Sequence, residues 1–302
     1  MYKAIESSPK RVFVVGCPRS GTTLLQRILL SDPAIISFPE SHFFVNLFKR
    51  RSKLRKKFDL ASPYSRSGFE NFIEEAGHQE MRKALPIHAL SLRQQTQVFA
   101  QTLDEIAKYH HKSIWIEKTP DHVKFIDFIE THIGNALFIH IVRNGPDVVA
   151  SLYDVTQKYP LEWDGPWDID QCLRKWITSV TKTYSHCHKP NHLVVNYDSL
   201  VHHSASESQH LGDFIGAKLD VTSLDHRQGS FEAIALQREP WKANSGKAIY
   251  QKATDKFSTL FDRPQQTYIL ETIAKAGLRD VEMAQISQQT NSQSVDLPAI
   301  AS

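Results

Sequence analysis

The segment Gly16–Thr23, which reads GCPRSGTT, carries residue types that bind phosphate. It follows the apolar run Arg11–Val15 directly and precedes a stretch with helical periodicity. Glycines at both ends of a four-residue spacer let backbone N–H groups close on phosphate oxygens, and a helix N-terminus adds positive potential. The loop also offers the cation of Arg19 and three hydroxyls, at Ser20, Thr22 and Thr23. We therefore predict a phosphate-binding loop at Gly16–Thr23.

The loop differs from the ATP-binding phosphate loop G-x-x-x-x-G-K-[ST] at one position. Thr22 stands where nucleoside triphosphatases carry a lysine that contacts the β- and γ-phosphates. The cation comes earlier in this loop, at Arg19. A P-loop kinase or nucleoside triphosphatase is thus the alternative interpretation rather than the preferred one.

A second candidate phosphate site is Arg143–Ser151, which reads RNGPDVVAS. It comes straight after the apolar run Ala136–Val142, at the strand end where ligands of open α/β sheets collect. The planar guanidinium of Arg143 and the hydroxyl of Ser151 could hold one phosphate. Two separate phosphate sites indicate a nucleotide that carries phosphates at two places.

The elements that position these loops alternate between strands and helices, which predicts an α/β fold. Five near-continuous apolar runs are typical of parallel strands buried on both faces: Arg11–Gly16, Ala34–Phe38, Ser113–Ile116, Ala136–Val142 and His192–Asn196. We expect a P-loop-like, three-layer fold with a central five-stranded parallel sheet flanked by helices. A helical insertion at about 41–112 would cover the active site, and one helix is expected over Ser41–Lys57. Residues 1–284 are predicted to form one domain, followed by a polar tail at 285–302.

Charge is unevenly distributed along the 302 residues. The chain has 36 basic and 33 acidic residues, and Lys49–Lys57 (KRRSKLRKK) holds seven of the basic ones and no acid. The remaining 29 basic against 33 acidic residues argue against a nucleic-acid-binding surface. The basic stretch is interpreted as the solvated face of a helix, or as a surface that meets an anionic substrate, a membrane or a partner.

Three cysteines, Cys17, Cys172 and Cys187, are too few for a disulfide framework and indicate a reducing compartment. No apolar run approaches the roughly 20 residues of a membrane-spanning helix. The first ten residues lack the apolar region of a signal peptide. We therefore expect a cytoplasmic protein without a transmembrane segment.

Three stretches together resemble the sulfotransferase superfamily that uses 3′-phosphoadenosine 5′-phosphosulfate (PAPS). PRSGTTLL (Pro18–Leu25) resembles its 5′-phosphosulfate loop, RNGPDVVAS its 3′-phosphate motif, and HLVVNYDSLV (His192–Val201) a later strand that ends in a tyrosine. By this resemblance, Arg143 and Ser151 bind the 3′-phosphate and Tyr197 lies near the adenine. The 5′ end would be held by five loop residues: Arg19, Ser20, Gly21, Thr22 and Thr23.

The resemblance also implies a catalytic base. The segment Glu117-Lys118-Thr119-Pro120 is similar to the protein-tyrosine, carbohydrate and bacterial branches, which use a glutamate after the strand that follows the phosphate loop. That glutamate would be Glu40. Lys118 and Arg19 would then balance charge on the leaving phosphate. His122 and His42 are the alternative bases, because the cytosolic branch uses a histidine.

The expected reaction is transfer of a sulfuryl group from PAPS to a hydroxyl or amine by in-line displacement, with PAP as the product and no metal. The acceptor stays open among a small metabolite, a glycan, a lipid and a carrier-bound chain. A non-catalytic PAP-binding protein on the same fold is a further alternative. The oligomeric state is not predicted.

Overall fold

A computed structural model of the protein describes residues 8–220 and 256–278. These residues form two compact units. The first contains residues 8–143 and 182–220, and the second contains residues 144–181 and 256–278. The predicted C-terminal tail at 285–302 lies outside the described residues, and the prediction of a single domain over 1–284 stays a prediction.

The first unit is built on a five-stranded parallel sheet, which confirms the predicted fold class. Its strands are β1 (Lys10–Gly16), β2 (Ile35–Ser37), β3 (Ile114–Lys118), β4 (Ala136–Val142) and β5 (His192–Asn196). They lie in the order β2-β3-β1-β4-β5, and every neighbouring pair is parallel. Because β1 lies between β3 and β4, the carboxyl ends of these three strands lie side by side, next to the loop that follows β1.

Both faces of the sheet are covered by apolar side chains, as the near-continuous apolar runs predict. Phe13 and Phe138 point into one cluster, with ring centroids 5.5 Å apart. Val12 and Ile139 point into the other. Helix α1 (Thr22–Leu29) packs on the second face through Leu25 and Ile28, which are fully buried.

The predicted insertion between β2 and β3 is helical. It contains α2 (Phe43–Phe48), α3 (Lys53–Lys57), α4 (Tyr64–Glu75) and α5 (Leu92–Tyr109). The expectation of one helix over Ser41–Lys57 is wrong, because Arg50 takes a left-handed backbone conformation (φ 46°) and Ser52 caps a new helix through the Arg55 N–H. Phe43 stacks on Phe99, with centroids 4.1 Å apart, which joins α2 to α5.

Three further helices complete the first unit: α6 (Ile126–His132), α9 (Tyr197–His202) and α10 (Ser204–Ile215). A 3₁₀ turn over Pro120–Phe125 leads from β3 into α6. Asn196, the last residue of β5, accepts hydrogen bonds from the Asp198 and Ser199 N–H groups and thereby starts α9 where the sheet ends.

The second unit is helical. It contains α7 (Gly145–Lys158), the part of α8 (Ile169–His186) up to residue 181, α11 (Lys256–Leu260) and α12 (Arg263–Lys275). Asn144 caps α7 by accepting from the Asp147 N–H at 3.0 Å. Gly145 permits close packing, because a side chain there would overlap Ile273 and crowd Trp176. No helix in the described ranges is long and apolar enough to cross a membrane.

Candidate functional site

The predicted phosphate loop connects the end of β1 to the start of α1. Arg19 adopts a left-handed backbone conformation (φ 72°), and the Ser20 N–H donates to the Cys17 carbonyl at 3.2 Å, which closes a tight turn. Gly21, also left-handed at φ 98°, begins α1. The loop thus leads directly into a helix N-terminus, which is the arrangement that favours anions.

The hydroxyl of Ser20 has the environment expected of a ligand-binding group. The residue is 1% exposed, and its Oγ has no hydrogen-bond partner within the described part of the chain. An unsatisfied buried hydroxyl is costly and uncommon in native proteins. A phosphate or sulfate oxygen in the loop would satisfy it, so the loop fits the anionic end of the predicted nucleotide.

Tyr197 brings the two predicted phosphate regions of the first unit together. Its ring packs against Gly21, where an added Cβ would overlap the ring atoms. The Arg143 guanidinium lies over the same ring, with its Cζ atom 4.4 Å from the ring centroid. Gly21, Tyr197 and Arg143 therefore form one cluster, although they come from three separate parts of the sequence. Stacking on an aromatic face orients the guanidinium plane.

Ser151 lies in α7, which belongs to the second unit, whereas Arg143 is the last residue of its segment of the first unit. The shared binding of one phosphate by Arg143 and Ser151 therefore stays a prediction. Thr22 and Thr23 occupy the first turn of α1, where Thr22 is buried.

Glu40 and Lys118 form an ion pair at the same edge of the sheet as the loop. Lys118 Nζ donates to Glu40 Oε1 at 2.6 Å, and the side chains are 2% and 15% exposed. Lys118 is the last residue of β3 and pairs in register with Val14 of β1, two residues before the loop. Since ionic groups are rarely so buried, this pair is a candidate for chemistry rather than for surface solubility.

His42, one of the alternative bases, lies near the pair but is not hydrogen-bonded to it. Its Nε2 is 3.7 Å from Glu40 Oε2, and its side chain is about half exposed at 52%. His42 has a left-handed backbone (φ 46°) and starts α2.

His122, the other alternative base, has both ring nitrogens engaged inside the protein. Nδ1 lies 2.8 Å from Glu117 Oε2, and Nε2 accepts from the Phe44 N–H at 3.3 Å. Because Nε2 accepts, Nδ1 carries the proton and donates to Glu117. His122 is completely buried, so this geometry gives it a structural role in which it holds Glu117.

Glu117 is a residue that sequence reasoning passed over. Its Oε1 accepts from Ser41 Oγ at 2.7 Å and from Thr119 Oγ1 at 2.5 Å, and the carboxylate is completely buried. Ser41 directly follows Glu40, so Glu117 fixes the segment that carries the candidate base. The available signal was a carboxylate directly after the apolar run Ser113–Ile116, since a buried charge requires partners.

The pKa of Glu117 reflects two opposing effects. Burial raises the pKa, but the interaction with His122 and the hydrogen bonds from Thr119 and Ser41 outweigh burial and lower the pKa below its usual value. Glu117 is therefore ionised at neutral pH and acts as a fixed acceptor.

One other cluster has the donor set of a metal site. Asp127, Glu130 and His186 bring ligand atoms within 4.8 Å of one another. Lys189 Nζ already lies 2.5 Å from Glu130, and Lys182 Nζ lies 3.8 Å from Asp127, so two ammonium groups neutralise the two carboxylates. The cluster is a network of ion pairs near the start of β5, at the opposite edge of the sheet from the phosphate loop.

The fold and this edge of the sheet define an α/β protein with a glycine-bounded loop between β1 and α1, in which Lys118, on the neighbouring strand, supplies a buried cation. The chain belongs to the sulfotransferase family, whose sequence profile matches residues 9–221. This confirms the resemblance seen in the motifs.

Comparisons with individual proteins agree with the family. The chain is 26% identical to protein-tyrosine sulfotransferase 2 of Gallus gallus over 225 residues, which cover 72% of this chain and 54% of that protein. It is 22% identical to protein-tyrosine sulfotransferase A of Caenorhabditis elegans, with 74% and 54% covered. The chain therefore spans about half the length of these curated relatives.

Among solved structures, the fold is similar to the sulfotransferase domain from the curacin biosynthetic pathway. The TM-score is 0.58 at 20% identity, and the match covers 88% of this chain and 98% of that domain. The sulfotransferase domain of the Synechococcus PCC 7002 olefin synthase matches with a TM-score of 0.59 at 19% identity, with 91% and 98% covered.

Proposed function

We propose that the chain transfers a sulfuryl group from PAPS to a hydroxyl or amine, with Glu40 as the general base. When bound, the donor supplies the activated sulfuryl group and two phosphate-bearing positions that the protein can recognise. The observation that carries the proposal is the buried Ser20 hydroxyl, which lacks a partner among the described residues and lies in a glycine-bounded loop at a helix N-terminus.

Each contact that donor binding requires has a proposed residue in this chain. The loop from Arg19 to Thr23 binds the 5′ end through its amides and hydroxyls. Arg143, oriented by the Tyr197 ring at 4.4 Å, binds the 3′-phosphate, together with Ser151 of α7. Tyr197 is proposed to lie beside the adenine. These roles would account for an arginine directly after β4 and a tyrosine directly after β5.

Glu40 is proposed to take the proton of the acceptor on its carboxylate. Lys118 holds Oε1 of that carboxylate at 2.6 Å, so the base has a defined orientation before the acceptor arrives. The same ammonium group contributes positive charge at the edge of the sheet where the loop binds phosphate. Glu117 and His122 are proposed to position the base indirectly, because they fix Ser41, which follows Glu40, and the end of β3.

Donor binding can be tested by isothermal titration with adenosine 3′,5′-bisphosphate (PAP) in the presence of a metal chelator. We expect binding by the unaltered chain and a loss of about 10- to 100-fold in affinity for Arg143→Ala, since a hydrogen bond to a charged group contributes roughly 1.5–3 kcal/mol. Arg174→Ala, at an exposed position of α8, is the matched control and should bind as the unaltered chain does.

A P-loop kinase or nucleoside triphosphatase would give the opposite result in that titration. It would bind ATP with Mg²⁺ in preference to PAP, which would overturn the proposal. An unchanged PAP affinity in Arg143→Ala would contradict the 3′-phosphate assignment alone. A non-catalytic PAP-binding protein would show PAP binding and no transfer to any acceptor.

The acceptor is best found with a labelled sulfate donor and a panel of acceptor classes. Because the curated relatives are protein-tyrosine sulfotransferases, a tyrosine-containing peptide is the first acceptor to test. A glycan, a hydroxylated lipid, a carrier-bound acyl chain and a small alcohol or amine complete the panel.

A further inference from the structure

A surface of the helical insertion combines positive charge and exposed apolar side chains. It is formed by residues 49–66 and 82–93, which we call the basic-apolar face. These two segments carry eight and three Lys or Arg residues respectively, and Asp59 is their one acid. The rest of the chain has 25 basic against 32 acidic residues. Positive charge is therefore concentrated on this face, which the proposed transfer reaction does not use.

Backbone hydrogen bonds join the two segments into one surface. The Ala61 N–H donates to the Leu90 carbonyl at 2.8 Å, and the Leu92 N–H donates to the Asp59 carbonyl at 2.9 Å. Arg66 adds two bonds from its guanidinium to the carbonyls of residues 85 and 86. Segments 30 residues apart in the sequence are thus adjacent in the fold.

Large apolar side chains point outward from this face. Ile87 is 86% exposed, Leu54 64%, Phe58 59% and Leu90 54%. With Tyr64, they make up half of the ten large hydrophobic side chains that are exposed in the described residues. Scattered single exposures are ordinary, but a concentration of this kind on one face marks an interaction site.

We infer that the basic-apolar face docks on the surface of an anionic lipid bilayer. Leucine, isoleucine and phenylalanine can enter the boundary between headgroups and acyl chains, while the long stems of lysine and arginine let their charges stay among the phosphates. Lys57 lies over the Phe58 ring, with Nζ 5.7 Å from its centroid, so an apolar and a cationic group project together.

The mixture of residues favours a membrane over a protein partner. The buried centres of protein interfaces are depleted in lysine, whereas this face has lysine at 49, 53, 56, 57 and 83 among its apolar side chains. Anionic lipid headgroups accept such a mixture without a fixed pairing geometry. Each Lys or Arg near an anionic surface changes partitioning by roughly fivefold, and stable attachment needs both charge and apolar insertion.

The inference is independent of the sulfuryl-transfer proposal, and it is tested by sedimentation of the full chain with lipid vesicles. One preparation is phosphatidylcholine alone, and the other contains about 30 mol % phosphatidylserine to set a negative surface potential. We expect the chain to sediment with the anionic vesicles and to stay in the supernatant with the neutral ones.

Two variants separate the charge from the apolar contribution. The triple variant Lys53→Gln, Lys56→Gln, Lys57→Gln should lose about 100-fold in partitioning, since each lysine contributes roughly fivefold. The double variant Leu54→Ser, Ile87→Ser should lose at least about tenfold, because apolar insertion is removed while the charge is kept. Circular dichroism and PAP affinity should be unchanged in both, since these side chains are exposed and lie outside the proposed donor site.

The matched controls change the same residue types elsewhere on the surface. They are a triple variant, Lys108→Gln, Lys158→Gln, Lys275→Gln, and the single variant Leu161→Ser, whose leucine is 91% exposed. Both should bind anionic vesicles as the unaltered chain does. Failure of the unaltered chain to bind anionic vesicles would overturn the inference. Binding that survives Leu54→Ser, Ile87→Ser would also overturn it, because charge alone would then account for the binding, and would point to an acidic protein partner.

Discussion

Two glutamates lie at the candidate active site, and substitution by glutamine should separate their roles. Glu40 is 15% exposed and bonded to Lys118, whereas Glu117 is completely buried and accepts from Ser41, Thr119 and His122. Glu40→Gln keeps the size of the side chain but removes its ability to take a proton. We expect turnover to fall by about 10²–10⁴-fold, which corresponds to roughly 3–5 kcal/mol in the activation free energy.

The free energy of unfolding should show the opposite order of effects, with a smaller loss in Glu40→Gln than in Glu117→Gln. In Glu40→Gln an amide oxygen can still accept from Lys118, so the loss should be about 1–2 kcal/mol. In Glu117→Gln an NH₂ group replaces one carboxylate oxygen at a completely buried position where three donors point at the side chain. That variant should lose about 2–4 kcal/mol of stability while retaining most of its turnover at low temperature.

The assay combines urea unfolding with transfer of labelled sulfate to the acceptor that the screen identifies. PAP affinity, measured by titration, is the control for an intact donor site and should change little in either variant. If Glu40→Gln retains most of its turnover and His42→Ala or His122→Ala abolishes it, a histidine is the base and the assignment to Glu40 is wrong.

Three further predictions concern the loop and the buried His140 of β4. Ser20→Ala should leave the free energy of unfolding unchanged or raise it by up to about 1 kcal/mol, because the buried hydroxyl lacks a partner among the described residues. PAP binding should weaken about tenfold. A loss of stability in thermal unfolding would contradict this prediction. Gly21→Ala should destabilise the fold more than Gly77→Ala. Both glycines have left-handed backbones, but only at Gly21 would a Cβ overlap a ring, that of Tyr197. Equal losses of stability in urea unfolding would refute the packing argument. Burial, together with the charges of nearby histidines, lowers the pKa of His140 to about 3. Below about pH 6.5 the unfolded chain therefore binds a proton that the folded chain does not bind. As the pH falls from 7 to 5, the free energy of unfolding should decrease by about 2 kcal/mol because of His140. His140→Gln should remove that part of the pH dependence of urea unfolding, and an unaltered slope would show that other groups cause it.

The sequence by itself determined the sheet and its loops. Parallel strands buried on both faces must be apolar along their whole length, so the five apolar runs could be recognised without knowing their partners. The phosphate loop was recognisable because its glycines, arginine and hydroxyls are adjacent in the chain. Glu40 and Lys118 could each be placed at the end of a strand for the same local reason.

Contacts between distant parts of the chain were decided by the tertiary structure. The ion pair between Glu40 and Lys118 joins residues 78 positions apart and depends on the parallel pairing of β2 and β3. Glu117 acquires its donors from a loop, a strand end and a 3₁₀ turn that no spacing rule connects. The break after α2 depends on a left-handed residue, Arg50, in a sequence that is otherwise favourable for helix.

The same distinction applies to the cluster of Gly21, Tyr197 and Arg143. Each residue was predicted from its own motif, but the contacts of the Tyr197 ring with both Gly21 and Arg143 require β1, β4 and β5 to lie side by side. Local sequence determines which backbone conformation a segment prefers. Which side chains then meet depends on strand order and register, because these are set by the burial of the whole sheet rather than by any one segment.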